Sequence, residues 1–190
     1  MKKEVLKGYD DKYWVNRLNL ELKHLLIANK IVEYFKLRID AKVFDFGCGA
    51  GQLVHSFREL NVDAKGYDPS EAAVNNPYGL SKGQISTGMG LQDLALSKYD
   101  LVTCIDVLEH VPLEDLWVTL QTIYDLTKRF VVFSICFEND PNFVKDPTHI
   151  NKHSKLWWKE VLTILGFTVT DAPKDWLYNE QFLICEKREF

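Results

Sequence analysis

Apolar residues are spaced along the chain in two distinct periods. Between Trp14 and Phe35, Leu18, Leu22, Leu25, Ala28, Val32 and Phe35 recur at steps of three and four, which predicts an amphipathic N-terminal helix. Beyond it, short apolar runs alternate with helical patterns. Val43 to Gly47 reads as a strand, Gln52 to Leu60 as a helix and Ala64 to Asp68 as a strand. A looser stretch follows with Pro77, Gly79, Gly83, Gly88 and Gly90, where a strand is placed near Gln84 to Ser86. Leu101 to Asp106 is a strand buried on both faces, Leu113 to Leu126 a helix, and Phe130 to Phe137 the most apolar strand. After a polar loop from Glu138 to His153, Lys155 to Leu165 is helical, with Ser154 as N-cap and Gly166 as stop. Phe167 to Thr170 and Phe182 to Glu186 are the last strands.

Repeated strand, helix, strand units predict a doubly wound, Rossmann-like α/β fold. Its sheet is mostly parallel with helices on both faces, because a right-handed crossover needs a helix to return the chain. Asp171 to Gln181 contains Pro173 and leaves no room for a helix, so the final two strands should pair antiparallel. No repeat or proline-rich linker interrupts the pattern. The expectation is a single domain, with residues 1–36 a helical lid segment and 41–190 the core.

Composition narrows the function. With 190 residues, 46% apolar and 26% charged, the chain has enough material for a continuous core. Its 23 basic and 27 acidic residues sum to −4, which argues against binding by broad phosphate neutralisation. Cys48, Cys104, Cys136 and Cys185 are far apart, with neither a CxxC pair nor zinc-finger spacing, and three lie in apolar strand-like runs. They read as reduced core thiols, consistent with a cytoplasmic protein. The N-terminus lacks a signal-peptide core, and no apolar run reaches the ~20 residues of a membrane span.

The densest chemical signal is Val43-Phe44-Asp45-Phe46-Gly47-Cys48-Gly49-Ala50-Gly51, a strand running into three alternate glycines and then a helix. Such glycines let backbone approach a ligand, and the helix start offers N–H donors. A nicotinamide fingerprint needs a glycine where Gln52 stands, so a dehydrogenase is disfavoured. Asp45 before the glycines, and Asp68 in Gly66-Tyr67-Asp68-Pro69-Ser70, suit a ribose-bearing ligand, with Asp68 accepting from both hydroxyls.

With these motifs the chain resembles the small, seven-stranded class I S-adenosylmethionine-dependent methyltransferases that carry a "VLEH" signature. The resemblance rests on VFDFGCGAG, on GYDPS, on Tyr99 to Val111 (YDLVTCIDVLEHV), and on His149 followed by a helix ending Leu165-Gly166-Phe167. It implies S-adenosylmethionine as cofactor. By resemblance Gly47, Cys48, Gly49 and Gly51 hold the methionine moiety, Asp68 and Pro69 the ribose, and Ile105 and Asp106 line the transfer cleft. Similar enzymes often place an acid toward adenine after the third strand. Here alignment puts Gly90 in that place, which leaves adenine to backbone groups and to packing by Met89 or Leu91, with Asp93 a substitute. In similar enzymes the N-terminal segment often folds over the cofactor, so Tyr13 and Arg17, beside Tyr9 and Trp14, could reach its carboxylate; packing of the first helix is the alternative.

His149 in Asp146-Pro147-Thr148-His149 is the candidate general base; a structural histidine bracing the loop is the alternative, and His110 a rival. His149, His153 and Asp146 can be drawn as a metal site, but Pro147 spoils a helical spacing, and no metal is expected. Lys145, Lys152, Lys155 and Lys159 read as a solvated face or as partners of an anionic acceptor. The DPPY-type motif of amino-methylating DNA enzymes is absent after the fourth strand, where Asp106-Val107-Leu108-Glu109 stands, and Asn76-Pro77-Tyr78 is a turn. The function read from the chain is methylation of oxygen or nitrogen on a small-molecule or sugar-like acceptor. Nucleic-acid or protein methylation is the runner-up, and a non-catalytic binding or scaffold protein the rival of another class.

Overall fold

The computed structural model describes residues 21–88, 97–176 and 179–188. It forms a seven-stranded sheet of order β3-β2-β1-β4-β5-β7-β6, the mixed, Rossmann-like arrangement expected. The chain divides into two compact units, residues 2–89 and 90–190.

In the first unit, helix α1 (Glu21–Phe35) leads into β1 (Lys42–Phe46), α2 (Gln52–Glu59), β2 (Asp63–Tyr67), the short α3 (Glu71–Asn75) and β3 (Ile85–Ser86). All three strands run parallel, with Asp45 opposite Gly66 and Tyr67 opposite Ser86. The buried stripe of α1 is Ile27, Ala28 and Ile31, while Leu22 is 68% exposed. The 3.6 period was therefore legible, but the inward face is rotated from the leucine row toward the two isoleucines. The part of the expected helix before Glu21 lies outside the described residues, as do Tyr9, Tyr13, Trp14 and Arg17.

The second unit contains β4 (Tyr99–Ile105), α4 (Leu113–Leu126), β5 (Thr127–Ser134), α5 (Pro141–Lys145), α6 (Lys155–Leu165), β6 (Phe167–Asp171) and β7 (Phe182–Lys187). β4 and β5 are parallel; β7 runs antiparallel to both β5 and β6. The α6 boundaries are those expected. Ser154 Oγ accepts the Trp157 N–H at 3.2 Å, and Gly166 ends the helix at φ 117°. A residue there with a Cβ would meet the Tyr124 ring at 3.1 Å, so the stop is steric as well as conformational. Within this helix Trp158 is fully buried and Trp157 only partly so.

β5 ends at Ser134, three residues before the apolar run does. The reason is hydrogen bonding: the Ile135 N–H goes to the Gln181 carbonyl and the Cys136 N–H to the Glu109 carboxylate, so neither continues the ladder. All four cysteines are buried. Burial pushes the Cys136 thiol up to about 12 and raises the Cys185 thiol further. No helix among the described residues is long and apolar enough to cross a membrane.

Candidate active site

The first unit builds a glycine loop braced by a carboxylate. Gly47, Gly49 and Gly51 all have positive φ, at 79°, 55° and 85°. In this left-handed region a side chain costs energy, and glycine does not. The loop is clamped to the end of β2: Gly47 and Cys48 donate their N–H groups to the Tyr67 carbonyl at 2.8 and 3.0 Å. At Gly66 a Cβ would lie 2.7 Å from Cys48 Cβ, so β2 can approach the loop this closely only with glycine there.

Asp68 follows directly. Its Oδ2 accepts the Gly49 N–H at 2.8 Å and its Oδ1 the Ser70 N–H at 2.8 Å. Each oxygen keeps a lone pair beyond the one used, which is what accepting from two ribose hydroxyls requires. The residue is 7% exposed. Burial raises its pKa to about 6 against the lowering effect of these two hydrogen bonds. Ser70 also caps α3, taking the Ala73 N–H at 3.3 Å, and so fixes the Asp68-Pro69-Ser70 corner. Asp45 is buried at the fourth position of β1. The Cys48 thiol is held well above its usual range by burial, then by Asp45 and Asp68, so it is an inert lining group. The residues present fit a ribose-bearing cofactor: backbone N–H groups, a glycine cradle and a preorganised carboxylate. Met89, Gly90, Leu91 and Asp93, the expected adenine side, lie outside the described residues.

The second unit carries the acceptor-side candidates. Ile105 ends β4, and Asp106 after it adopts φ 56°, unusual for a residue with a side chain. It is pinned from both ends: its N–H donates to the Ser134 carbonyl at 2.9 Å, and the Ser134 hydroxyl donates to its Oδ1 at 2.6 Å. Strain held in place this way concentrates at working sites.

Two residues beyond Asp106, Leu108–His110 form a 3-10 turn. Glu109 is 1% exposed. Its Oε1 accepts the Cys136 N–H at 3.0 Å, and its carbonyl accepts from Ile150 and Asn151 at 2.9 and 3.0 Å. Asn151 returns a bond to the Leu108 carbonyl at 3.1 Å. Four hydrogen bonds thus fasten the LEH turn to β5's end and to the loop carrying His149.

That loop brings the two histidines together, their ring centroids 4.7 Å apart and edge to face. The Thr148 hydroxyl donates to Asp146 Oδ1 at 2.5 Å. Its proton being used there, His110 Nδ1–H is the donor to the Thr148 carbonyl at 3.1 Å and to its Oγ1 at 2.9 Å. The tautomer this sets has the lone pair on Nε2. Desolvation, then His149, lowers the His110 pKa from its ordinary value. Desolvation raises Asp146, but the Thr148 hydrogen bonds and the two histidines outweigh it, and its pKa falls below the ordinary value. His149 has a side chain 10% exposed, with Nε2 3.9 Å from Asp146 Oδ2. Its Nδ1 is buried and makes no hydrogen bond among the described residues.

His153, drawn with His149 and Asp146 from the sequence, is engaged elsewhere: it stacks on Trp157 at 3.6 Å. The group whose ligand-capable atoms converge, all within 4.8 Å of one another, is Glu109, His110 and His149. Glu109 was missed because it reads as part of an apolar signature run; the signal available was an acid between Leu108 and His110 in an otherwise apolar stretch. Of the lysines, Lys155 and Lys159 both pair with Asp171, at 2.8 and 2.7 Å, and Lys152 lies over the Phe143 ring.

Comparison with known proteins agrees with this geometry. Residues 18–172 match a family described as a methyltransferase domain. The chain belongs to that family, and its domain is that of an S-adenosylmethionine-dependent methyltransferase of class I fold. A ubiquinone biosynthesis O-methyltransferase of Shewanella sp. (strain ANA-3) is 33% identical over 113 residues, covering 55% of this chain and 47% of the relative. The chain spans a third to a half of the length of such curated relatives. Among solved structures, a SAM-dependent methyltransferase from Archaeoglobus fulgidus superposes with TM-score 0.66 at 19% identity, over 86% of this chain and 94% of that one. Magnesium protoporphyrin IX methyltransferase from Synechocystis PCC 6803, with bound SAM, gives TM-score 0.61 at 24% identity, over 90% and 83%.

Proposed function

We propose that the protein transfers the methyl group of S-adenosylmethionine to an oxygen of a small-molecule acceptor. The observation that carries the cofactor side is Asp68: a buried carboxylate with each oxygen anchored by one backbone N–H and able to accept again. Support for oxygen comes from the curated relatives, which are named ubiquinone biosynthesis O-methyltransferases. The net charge of −4 and the engagement of Lys155 and Lys159 with Asp171 favour a small molecule over a nucleic acid.

The cofactor, when bound, supplies an electrophilic methyl on a sulfonium. The chain's own work is to hold and to position it. Gly47, Cys48, Gly49 and Gly51 offer close backbone to the methionine moiety, with Asp45 of β1 a further contact; Asp68 and Pro69 take the ribose. Gly90 and Leu91 are proposed for adenine, and Tyr13, Arg17, Ile105 and Asp106 as further cofactor contacts. His149 acts on the acceptor, its imidazole taking the hydroxyl proton as the oxygen attacks. Most of the acceleration then comes from alignment and exclusion of water.

Incubating the protein with methyl-labelled cofactor and fractionated metabolite pools tests this. Mass spectrometry should find label in a small molecule, bonded to oxygen. Cofactor binding without any labelled product would favour the non-catalytic alternative, and labelled nucleic acid or protein would replace the small-molecule reading.

A further inference from the structure

Glu109, His110 and His149 bring one carboxylate and two imidazoles together from positions 1 and 39 residues apart in sequence. Three features go beyond simple clustering. First, His149 Nδ1 is buried in a side chain nine-tenths sealed from solvent, yet forms no hydrogen bond among the described residues. An imidazole nitrogen in that position pays its desolvation cost unless something absent from the protein binds it. Second, His110 is prepared in the manner of a ligand: its Nδ1–H is tied to Thr148, whose hydroxyl is tied to Asp146, so Nε2 carries the lone pair. Third, Glu109 is 1% exposed and its Oε1 accepts the Cys136 N–H at 3.0 Å, which holds the carboxylate in place where its ligand atom and those of the two rings converge.

We propose that these three side chains bind one divalent transition-metal ion. Two nitrogens and one oxygen suit zinc, manganese, iron(II) or cobalt(II) better than the all-oxygen preference of magnesium or calcium. The ligand atoms now lie within 4.8 Å of one another. Tetrahedral ligands at about 2.1 Å from an ion sit roughly 3.4 Å apart, so side-chain adjustments of about 1 Å close the site. Three protein ligands leave a coordination position open, and an acceptor oxygen is the natural occupant. The existence of the site is independent of methyl transfer. Its role at the acceptor rests on the transfer reading, and there it competes with direct proton uptake, since the His149 lone pair serves either the ion or the proton.

The test is cobalt(II) and zinc titration of the untagged, chelator-treated full chain. Calorimetry should give one ion per chain, and cobalt should give visible bands of a mixed nitrogen and oxygen environment. His149→Ala should weaken binding at least about tenfold, and Thr148→Val should weaken it about 10- to 100-fold by releasing His110. His153→Ala should leave it unchanged. A readout without variants is NMR of histidine-labelled wild type: of the five imidazoles, cobalt should displace those of His110 and His149 and spare His24, His55 and His153. Absence of a stoichiometric site, or perturbation of His153 in place of His149, overturns the proposal. Because these measurements need neither cofactor nor acceptor, a failure here is separate from a failure of methyl transfer.

Discussion

The Gly49 N–H donates to Asp68 Oδ2 at 2.8 Å, joining the glycine loop to the residue that follows β2. One contact therefore sets both the loop's shape and the carboxylate's direction before any ligand arrives. Preorganisation of this kind lowers the ordering cost of binding.

Ionisation of Asp68 should tilt cofactor affinity and stability of the empty protein in opposite directions. Its pKa of about 6 in the fold lies above the 3.8 of the unfolded chain. A raised folded value means the group's stabilising contribution is complete below about pH 3.8 and is lost as pH rises through 6. Ribose hydroxyls pair best with the carboxylate, so affinity should instead fall as pH drops through 6. Thermal denaturation and calorimetry at pH 5 and pH 7.5 should show both slopes, and Asp68→Asn should flatten both.

Gly51→Ala should destabilise the protein more than Gly83→Ala. Both glycines have positive φ, 85° and 75°, which costs a substituted residue roughly 1–2 kcal/mol. At Gly51 the new Cβ would also lie 2.5 Å from Ser81 Cβ, whereas at Gly83 nothing among the described residues lies within 4 Å. Comparing the two by chemical denaturation isolates the close approach, and equal losses would show that only backbone conformation matters.

Asn151→Ala should lower stability by about 1–3 kcal/mol, because it leaves the buried Leu108 carbonyl without the 3.1 Å amide bond. The LEH turn and the His149 loop would loosen together. Turnover should fall by a larger factor than cofactor affinity, since the hydrogen bonds of Asn151 go to Leu108 and Glu109 in the turn that holds the His149 loop. Steady-state kinetics beside calorimetry measures both.

His149→Ala should cut turnover by roughly 100- to 10,000-fold while leaving cofactor affinity nearly unchanged. Near wild-type turnover at saturating acceptor would remove His149 from the chemistry, and loss of folding alone would assign it the bracing role.

The order of elements could be read from the chain because local signals agreed with the fold. Ser154 and Gly166 bracket α6 at its observed ends, and the Asp171 to Gln181 connection forced the antiparallel return of β7. Departures came where tertiary contacts decide. Leu22 has helical spacing yet faces solvent, and Ile135 and Cys136 are apolar yet leave the sheet because Gln181 and Glu109 take their N–H groups. Asp68 was legible because its partners lie within a motif. The meeting of Glu109, His110 and His149 was not, because it depends on the path of a loop returning 39 residues later, fastened by Asn151.

The most direct test is calorimetric titration of wild type and Asp68→Ala with S-adenosylmethionine and its demethylated product. Wild type should bind both at one site. Loss of the carboxylate should weaken both by at least about tenfold, since one hydrogen bond to a charged group contributes about 1.5–3 kcal/mol. Absence of binding by the folded wild type, or equal affinity in the variant, would contradict the assignment of Asp68 and the glycine loop as the cofactor site.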